Sequence, residues 1–168
     1  IVNNWPEGHR RDFLISIAPA ALISASTHCV PPSVTMGQAI IESGWGRSTL
    51  TTRHNNLFGV KAKVGSGVSL KTREVVNGED VKVRATFQTY QDWEASVAAH
   101  DTLLERDRRY SAAKEHWRDW PSFLASIAPV YASDPAYVAL VTRLIERYDL
   151  AQWDGLAQGI AVRHANCP

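Results

Sequence analysis

The sequence predicts an α+β fold, a helical bundle with one small antiparallel β-hairpin lobe. Three observations lead there. Apolar residues recur at helical spacing through most of the 168 residues. One stretch, Leu70 to Phe87, alternates instead, on both flanks of Asn77-Gly78, the preferred type I′ turn pair. Prolines sit where helices would begin and glycines where they would end.

Taken in order, Phe13, Leu14, Ile17, Ala21, Leu22 and Ala25 give a helical face within residues 7–28. Pro19 interrupts it, which predicts two short helices. Pro31-Pro32 opens the next helix, with Pro32 near its first turn, and Gly44 and Gly46 predict its end. Residues 50–66 read as a loop with a short extended piece, Leu57 to Lys61. After the hairpin, Asp92 is a predicted N-cap for a long helix through Ser96 to Leu104. Further helices are predicted near 111–117, 120–128 and 135–149, the last started by Asp134-Pro135. Residues 151–168 form a tail without a clear pattern. No repeat or low-complexity linker divides the chain.

Composition narrows the function classes. Hydrophobic residues make up 45% and charged residues 21%, so one core can form at this length. The 18 Lys+Arg against 17 Asp+Glu leave a formal charge of +1, without a basic run, so nucleic acid is not an expected partner. No apolar run approaches the ~20 residues of a membrane span, and Ile1 to Pro6 does not begin a signal peptide. The chain starts without Met, as a mature form or excised domain would. The histidines at 28, 54, 100, 116 and 164 are scattered, and no metal or cofactor site is expected. Cys29 and Cys167 are either a bridge holding the tail to the N-terminal helices or two unrelated thiols.

Two carboxylates stand out. On the helix opened by Pro32, Thr35, Gln38 and Glu42 recur at spacings of three and four and share one face. Glu42 would sit at the negative end of the helix dipole, which raises its pKa, and Trp45 could wall it. A carboxylic acid kept protonated is what glycosidic-bond cleavage needs. An ordinary solvated helix glutamate fits the same position. In the hairpin, a two-residue turn pairs Val76 with Glu79, Val75 with Asp80 and Glu74 with Val81. Glu74 is then the lone charge on the face with Leu70, Thr72, Val83 and Ala85, either paired or functional. Glu79 and Asp80 read as surface charges beside the turn. Trp45, Phe58, Tyr90, Tyr110, Tyr131 and Tyr137 can line a sugar groove or pack in the core, and for most of them core packing is the stronger reading.

The motifs then resemble a known family. Pro32 to Gly46 (PSVTMGQAIIESGWG) is similar to the catalytic segment of glycoside hydrolase family 73, the bacterial cell-wall glucosaminidases. Asn55 to Lys61 (NNLFGVK), Thr72-Arg73-Glu74 before Asn77-Gly78, Phe87 to Tyr90 and Tyr131 to Tyr137 resemble its later motifs, in the family's order. Ser133 stands where threonine is common. The resemblance implies a lysozyme-like fold, with residues 1–150 as the catalytic domain, a β-lobe at about 57–88, and 151–168 outside the pattern. It implies cleavage of the β-1,4 bond between N-acetylglucosamine and N-acetylmuramic acid. It maps Glu42 onto the general acid, Glu74 onto a second carboxylate and Tyr137 onto a tyrosine near the reaction centre. Gln38, Trp45, Asn56, Phe58, Tyr110 and Tyr131 are the expected substrate contacts.

An inverting route would use Glu74 as base on water; a substrate-assisted route would use the 2-acetamido oxygen, with Tyr137 or Glu74 orienting or stabilising it. The competing readings are a muramidase or lytic transglycosylase on the same polymer, and a non-catalytic cell-wall binding module. Transglycosylases usually carry a Gly-Leu-Met-Gln-like segment where this chain has Asn-Asn-Leu-Phe-Gly. Expected partners are peptidoglycan glycan strands, plus an inhibitor (immunity) protein if the chain is a toxin. A monomer acting in the periplasm or outside the cell is expected.

Overall fold

A computed structural model describes residues 4–63, 65–76, 79–164 and 167, with side chains described except at 73–76, 79, 80, 82 and 161–164. The helices are α1 His9–His28, α2 Pro32–Ser43, α3 Thr49–His54, α4 Trp93–Arg106, α5 Trp120–Tyr131, α6 Tyr137–Arg147 and α7 Gln152–His164, with a 3-10 helix at Arg108–His116. Strands β1 Val68–Val76 and β2 Glu79–Phe87 form a two-stranded antiparallel sheet. The architecture is the expected α+β bundle with a hairpin lobe.

The central element is α2. Every residue from Pro32 to Ile40 is buried, so it is a core helix enclosed on all sides. Val34, Met36 and Ala39 meet Leu14, Ile17 and Ala21 of α1, Val141 and Ile145 of α6, and the apolar faces of α4 and α5 in one cluster. Gly37 permits this: a Cβ there would lie 3.0 Å from Val141 Cγ1 and 3.4 Å from Ile145 Cγ1, so α6 approaches α2 closely. The helix ends as the sequence predicted. Gly44 adopts the left-handed conformation (φ 57°), and its N–H returns to the Ile40 and Ile41 carbonyls.

Four sequence expectations are corrected. Pro19 lies inside α1 and does not split it. Pro19 is exposed and Ile15, four residues back, is 51% exposed, so the carbonyl that loses its donor faces water. The buried face through Ile17, Ala18, Ala20 and Ala21 keeps the helix together. Part of the expected loop after residue 50 is α3, started by Ser48, whose side chain accepts from the Thr51 N–H. Asp134 caps a turn rather than a helix: its carboxylate accepts from Ala136 N–H at 2.8 Å, and α6 begins at Tyr137.

The fourth is the tail, which forms α7 and packs on α1 and α2. Several of its partners are distant in sequence. Trp153 stacks on Trp5 with centroids 5.9 Å apart. Asp154 accepts from the Ser33 N–H at 2.8 Å and the Ser33 hydroxyl at 2.6 Å. Pro31 gives α2 no side-chain cap, so a carboxylate from α7 does the capping. The Cys29–Cys167 bridge, with Cα atoms 5.4 Å apart, closes the link beyond α7.

Burial pushes the Asp154 carboxyl up to about 6, outweighing the two bonds from Ser33. The folded protein therefore holds this proton more tightly than the unfolded chain, and stability from this group falls as pH rises from about 4 through 6. Two pH units correspond to roughly 3 kcal/mol at most. Asp154→Asn, which can keep both bonds to Ser33, is expected to flatten the pH dependence. The measurement is Tm at pH 4.5 and 7.5; an equal pH shift in both proteins would refute it.

The hairpin register is the predicted one, with Val76 opposite Glu79, Val75 opposite Asp80 and Glu74 opposite Val81. The Asn77-Gly78 turn lies outside the described residues. The hairpin joins the bundle through residues 60–62: Ala62 N–H donates to the Thr86 carbonyl and Gln88 N–H to the Val60 carbonyl, each at 2.9 Å.

Candidate active site

Because α2 is buried along its length, its C-terminal end is where a polar side chain can emerge into solvent. Glu42 emerges there, exposed at one side and surrounded by protein elsewhere. It lines a cavity of about 370 Å³ together with Phe58, Lys61, His100, Tyr110 and Tyr131. The α2 face predicted from spacing holds two hydrogen-bonded chains. Gln38 Nε2 donates to the Tyr137 hydroxyl at 3.0 Å, and Tyr137 donates to Glu42 Oε1 at 3.2 Å. One turn earlier, Thr35 donates to Asp101 Oδ1 at 2.9 Å, and Asp101 Oδ1 also meets His100 Nδ1 at 2.8 Å.

The Glu42 carboxyl is raised above the usual range. Loss of hydration is the largest cause, the Tyr137 hydrogen bond opposes it, and the nearby His100 opposes it further. Tyr137 is 5% exposed, and burial beside Glu42 pushes its phenol upward, so it stays a neutral donor. Tyr137→Phe removes a bond that favours ionised Glu42, so the alkaline limb of kcat/KM is expected to move to higher pH. A pH–rate profile of both proteins tests this; an unmoved or lowered limb would count against the contact.

Phe58, Tyr110 and Tyr131, three of the expected substrate contacts, line the cavity. Three other expected contacts are placed elsewhere. Gln38 is fully buried and acts on Tyr137. Asn56 is 1% exposed and ties the lobe to the bundle: its side chain donates to the Val60 and Gln88 carbonyls and accepts from Val60 N–H. Trp45 follows the helix end with φ 61°, does not line this cavity, and packs against Phe13 and Tyr148, at 6.2 and 5.3 Å between centroids. Its neighbour Gly46 has no room for a Cβ beside Phe13 and Trp93. Tyr90 is partly buried and does not line this cavity. The side chain of Glu74 lies outside the described residues; its strand position follows Leu70 and Thr72 in the alternating series.

His100 and Asp101, both 0% exposed, were not among the expected site residues. The signal was present: Val97, His100, Asp101 and Leu104 follow the helical core spacing, so two titratable residues occupy core positions of α4.

A carboxyl at a helix end, hydrogen-bonded to a neutral tyrosine in a partly aromatic cleft, is an arrangement that glycoside hydrolysis can use. The family model described as mannosyl-glycoprotein endo-beta-N-acetylglucosaminidase matches residues 18–150. The chain belongs to this glucosaminidase family, glycoside hydrolase family 73. It is 34% identical over 148 residues to exo-glucosaminidase LytG of Bacillus subtilis, covering 84% of this chain and 52% of LytG. It is 31% identical to the peptidoglycan hydrolase FlgJ of Salmonella typhimurium, covering 83% of this chain and 46% of FlgJ. The catalytic domain of the autolysin Auto from Listeria monocytogenes has the same fold, with TM-score 0.78 and 29% identity over 88% of this chain and 89% of that one. The chain thus spans about half the length of LytG and FlgJ.

Proposed function

We propose that this chain hydrolyses the β-1,4 bond between N-acetylglucosamine and N-acetylmuramic acid in bacterial peptidoglycan. The observation that carries the reading is Glu42, its carboxyl raised by the enclosing cleft and hydrogen-bonded to Tyr137. Protonated Glu42 donates to the leaving oxygen. Phe58, Tyr110 and Tyr131 offer flat surfaces to sugar rings. Tyr137, and Glu74 from the hairpin, are the groups proposed to orient water or the 2-acetamido oxygen at the anomeric carbon. The reading places the domain outside the cytoplasm, as a monomer, where its polymer is. If it serves as a toxin, an inhibitor protein would have to cover this cleft.

The relatives' names divide on the bond: LytG is an exo-glucosaminidase, while a Lactococcus lactis relative, 33% identical over 154 residues, is a probable N-acetylmuramidase. Digested peptidoglycan, reduced with borohydride and analysed by mass spectrometry, separates the outcomes. N-acetylglucosamine at the new reducing ends is expected. Reduced muramic acid would identify a muramidase, and 1,6-anhydro ends a transglycosylase. Glu74→Gln is expected to lower activity substantially and Glu79→Gln little; the reverse order would remove Glu74 from the mechanism.

A further inference from the structure

The cleft contains a buried titratable group that the reaction described so far does not use. His100 is 0% exposed and lines the cavity with Glu42. Its Nδ1 is anchored on Asp101, which Thr35 holds in turn. The two nitrogens of an imidazole point to opposite sides of the ring, so anchoring Nδ1 at the α2–α4 contact turns Nε2 away from it. Nε2 is buried and has no hydrogen-bond partner among the described residues. Such a group is destabilising when left unpaired, which favours any ligand able to satisfy it.

The surroundings of the ring indicate what that ligand offers. Phe58 stacks on His100 with centroids 3.8 Å apart, and Tyr131 stands edge-on at 5.7 Å. Leu103 lines the same cavity. An unpartnered polar atom with aromatic and aliphatic neighbours suits a substituent that combines an amide with a methyl group. A 2-acetamido group has both; a 2-hydroxyl has no methyl to cover.

We infer that His100 is a specificity-determining residue: its Nε2 hydrogen-bonds the 2-acetamido group of the sugar beside Glu42, while Phe58, Leu103 and Tyr131 cover the methyl. Asp101 and Thr35 are positioning residues that act through the His100 ring. The inference rests on the glycan-cleaving reading above.

The test reads binding without turnover, in a Glu42→Gln background. Chitotetraose and cellotetraose are both uncharged β-1,4 tetrasaccharides that differ at carbon 2, acetamido against hydroxyl. Calorimetric Kd values are expected to favour chitotetraose by about tenfold or more, the equivalent of one hydrogen bond. His100→Phe keeps the ring stack and removes both nitrogens. It is expected to reduce that preference to within about threefold, through chitotetraose alone. Asp101→Asn, which replaces the carboxylate acceptor at Nδ1 by a weaker, neutral amide, loosens the anchor; it is expected to reduce the preference too and replaces His100→Phe if that variant does not fold. An undiminished preference, or equal weakening of both sugars, overturns the inference. So does binding of neither sugar when the wild type still releases reducing ends from sacculi. No binding together with no release overturns the glycan-cleaving reading itself.

Discussion

Glu42→Gln is expected to lose nearly all activity and keep the fold. The amide has the shape of the acid, and its oxygen can still accept from the Tyr137 hydroxyl that now bonds Glu42 at 3.2 Å. It cannot give a proton to a leaving oxygen, and general acid catalysis contributes roughly 10²–10⁴-fold. The raised pKa of Glu42 means that the folded protein gains nothing from ionising this group, so the variant is expected to be no less stable than the wild type. Turbidity clearance of purified sacculi, with circular dichroism as the folding control, measures both. Activity within tenfold of wild type would remove Glu42 from the role of acid.

Opening the Cys29–Cys167 bridge is expected to produce the largest loss of stability. The bridge joins residues 138 apart in sequence. In the chain-entropy description, a loop of that size contributes about 4–5 kcal/mol by restricting the unfolded chain. At this length, 1 kcal/mol moves Tm by about 2–4 °C, so the Cys29→Ala/Cys167→Ala double variant should melt roughly 10 °C or more lower. Scanning calorimetry of the double variant, and of the wild type with and without dithiothreitol, checks the value. The loss should come mainly from the unfolded state, because α7 has other holds on the bundle in Trp153 on Trp5 and Asp154 on Ser33. A fall in Tm of less than 2 °C would mean that those contacts hold α7 with little help from the bridge.

Much of the fold was legible because local rules wrote it. The hairpin register follows from side-chain alternation around a two-residue turn, and all three predicted pairs are present. The end of α2 follows from Gly44, and the start of α4 from Asp92, whose carboxylate accepts from Ala95 N–H at 2.8 Å. Pro19 and α3 were misread where local signals compete with context: Pro19 breaks a helix only if its lost hydrogen bond and clash outweigh the packing around it.

The site divides in the same way. Helical spacing by itself placed Thr35, Gln38 and Glu42 on one face, and the motif resemblance placed Glu42 and Tyr137 in one site. Neither could say that Gln38 and Asn56 work from behind the cleft, or that Trp45 turns out of it, since burial and direction depend on partners far away in sequence. The pairing of Cys29 with Cys167, the capping of α2 by Asp154 and the anchoring of His100 by Asp101 and Thr35 likewise belong to the tertiary structure. The sequence alone determined the hairpin register and the boundaries of α2 and α4, because helix caps, turns and side-chain periodicity act over a few residues. Only the folded chain decided which side chains line the cleft and which stand behind it, because α2, α4, α6 and α7 come together through a shared core.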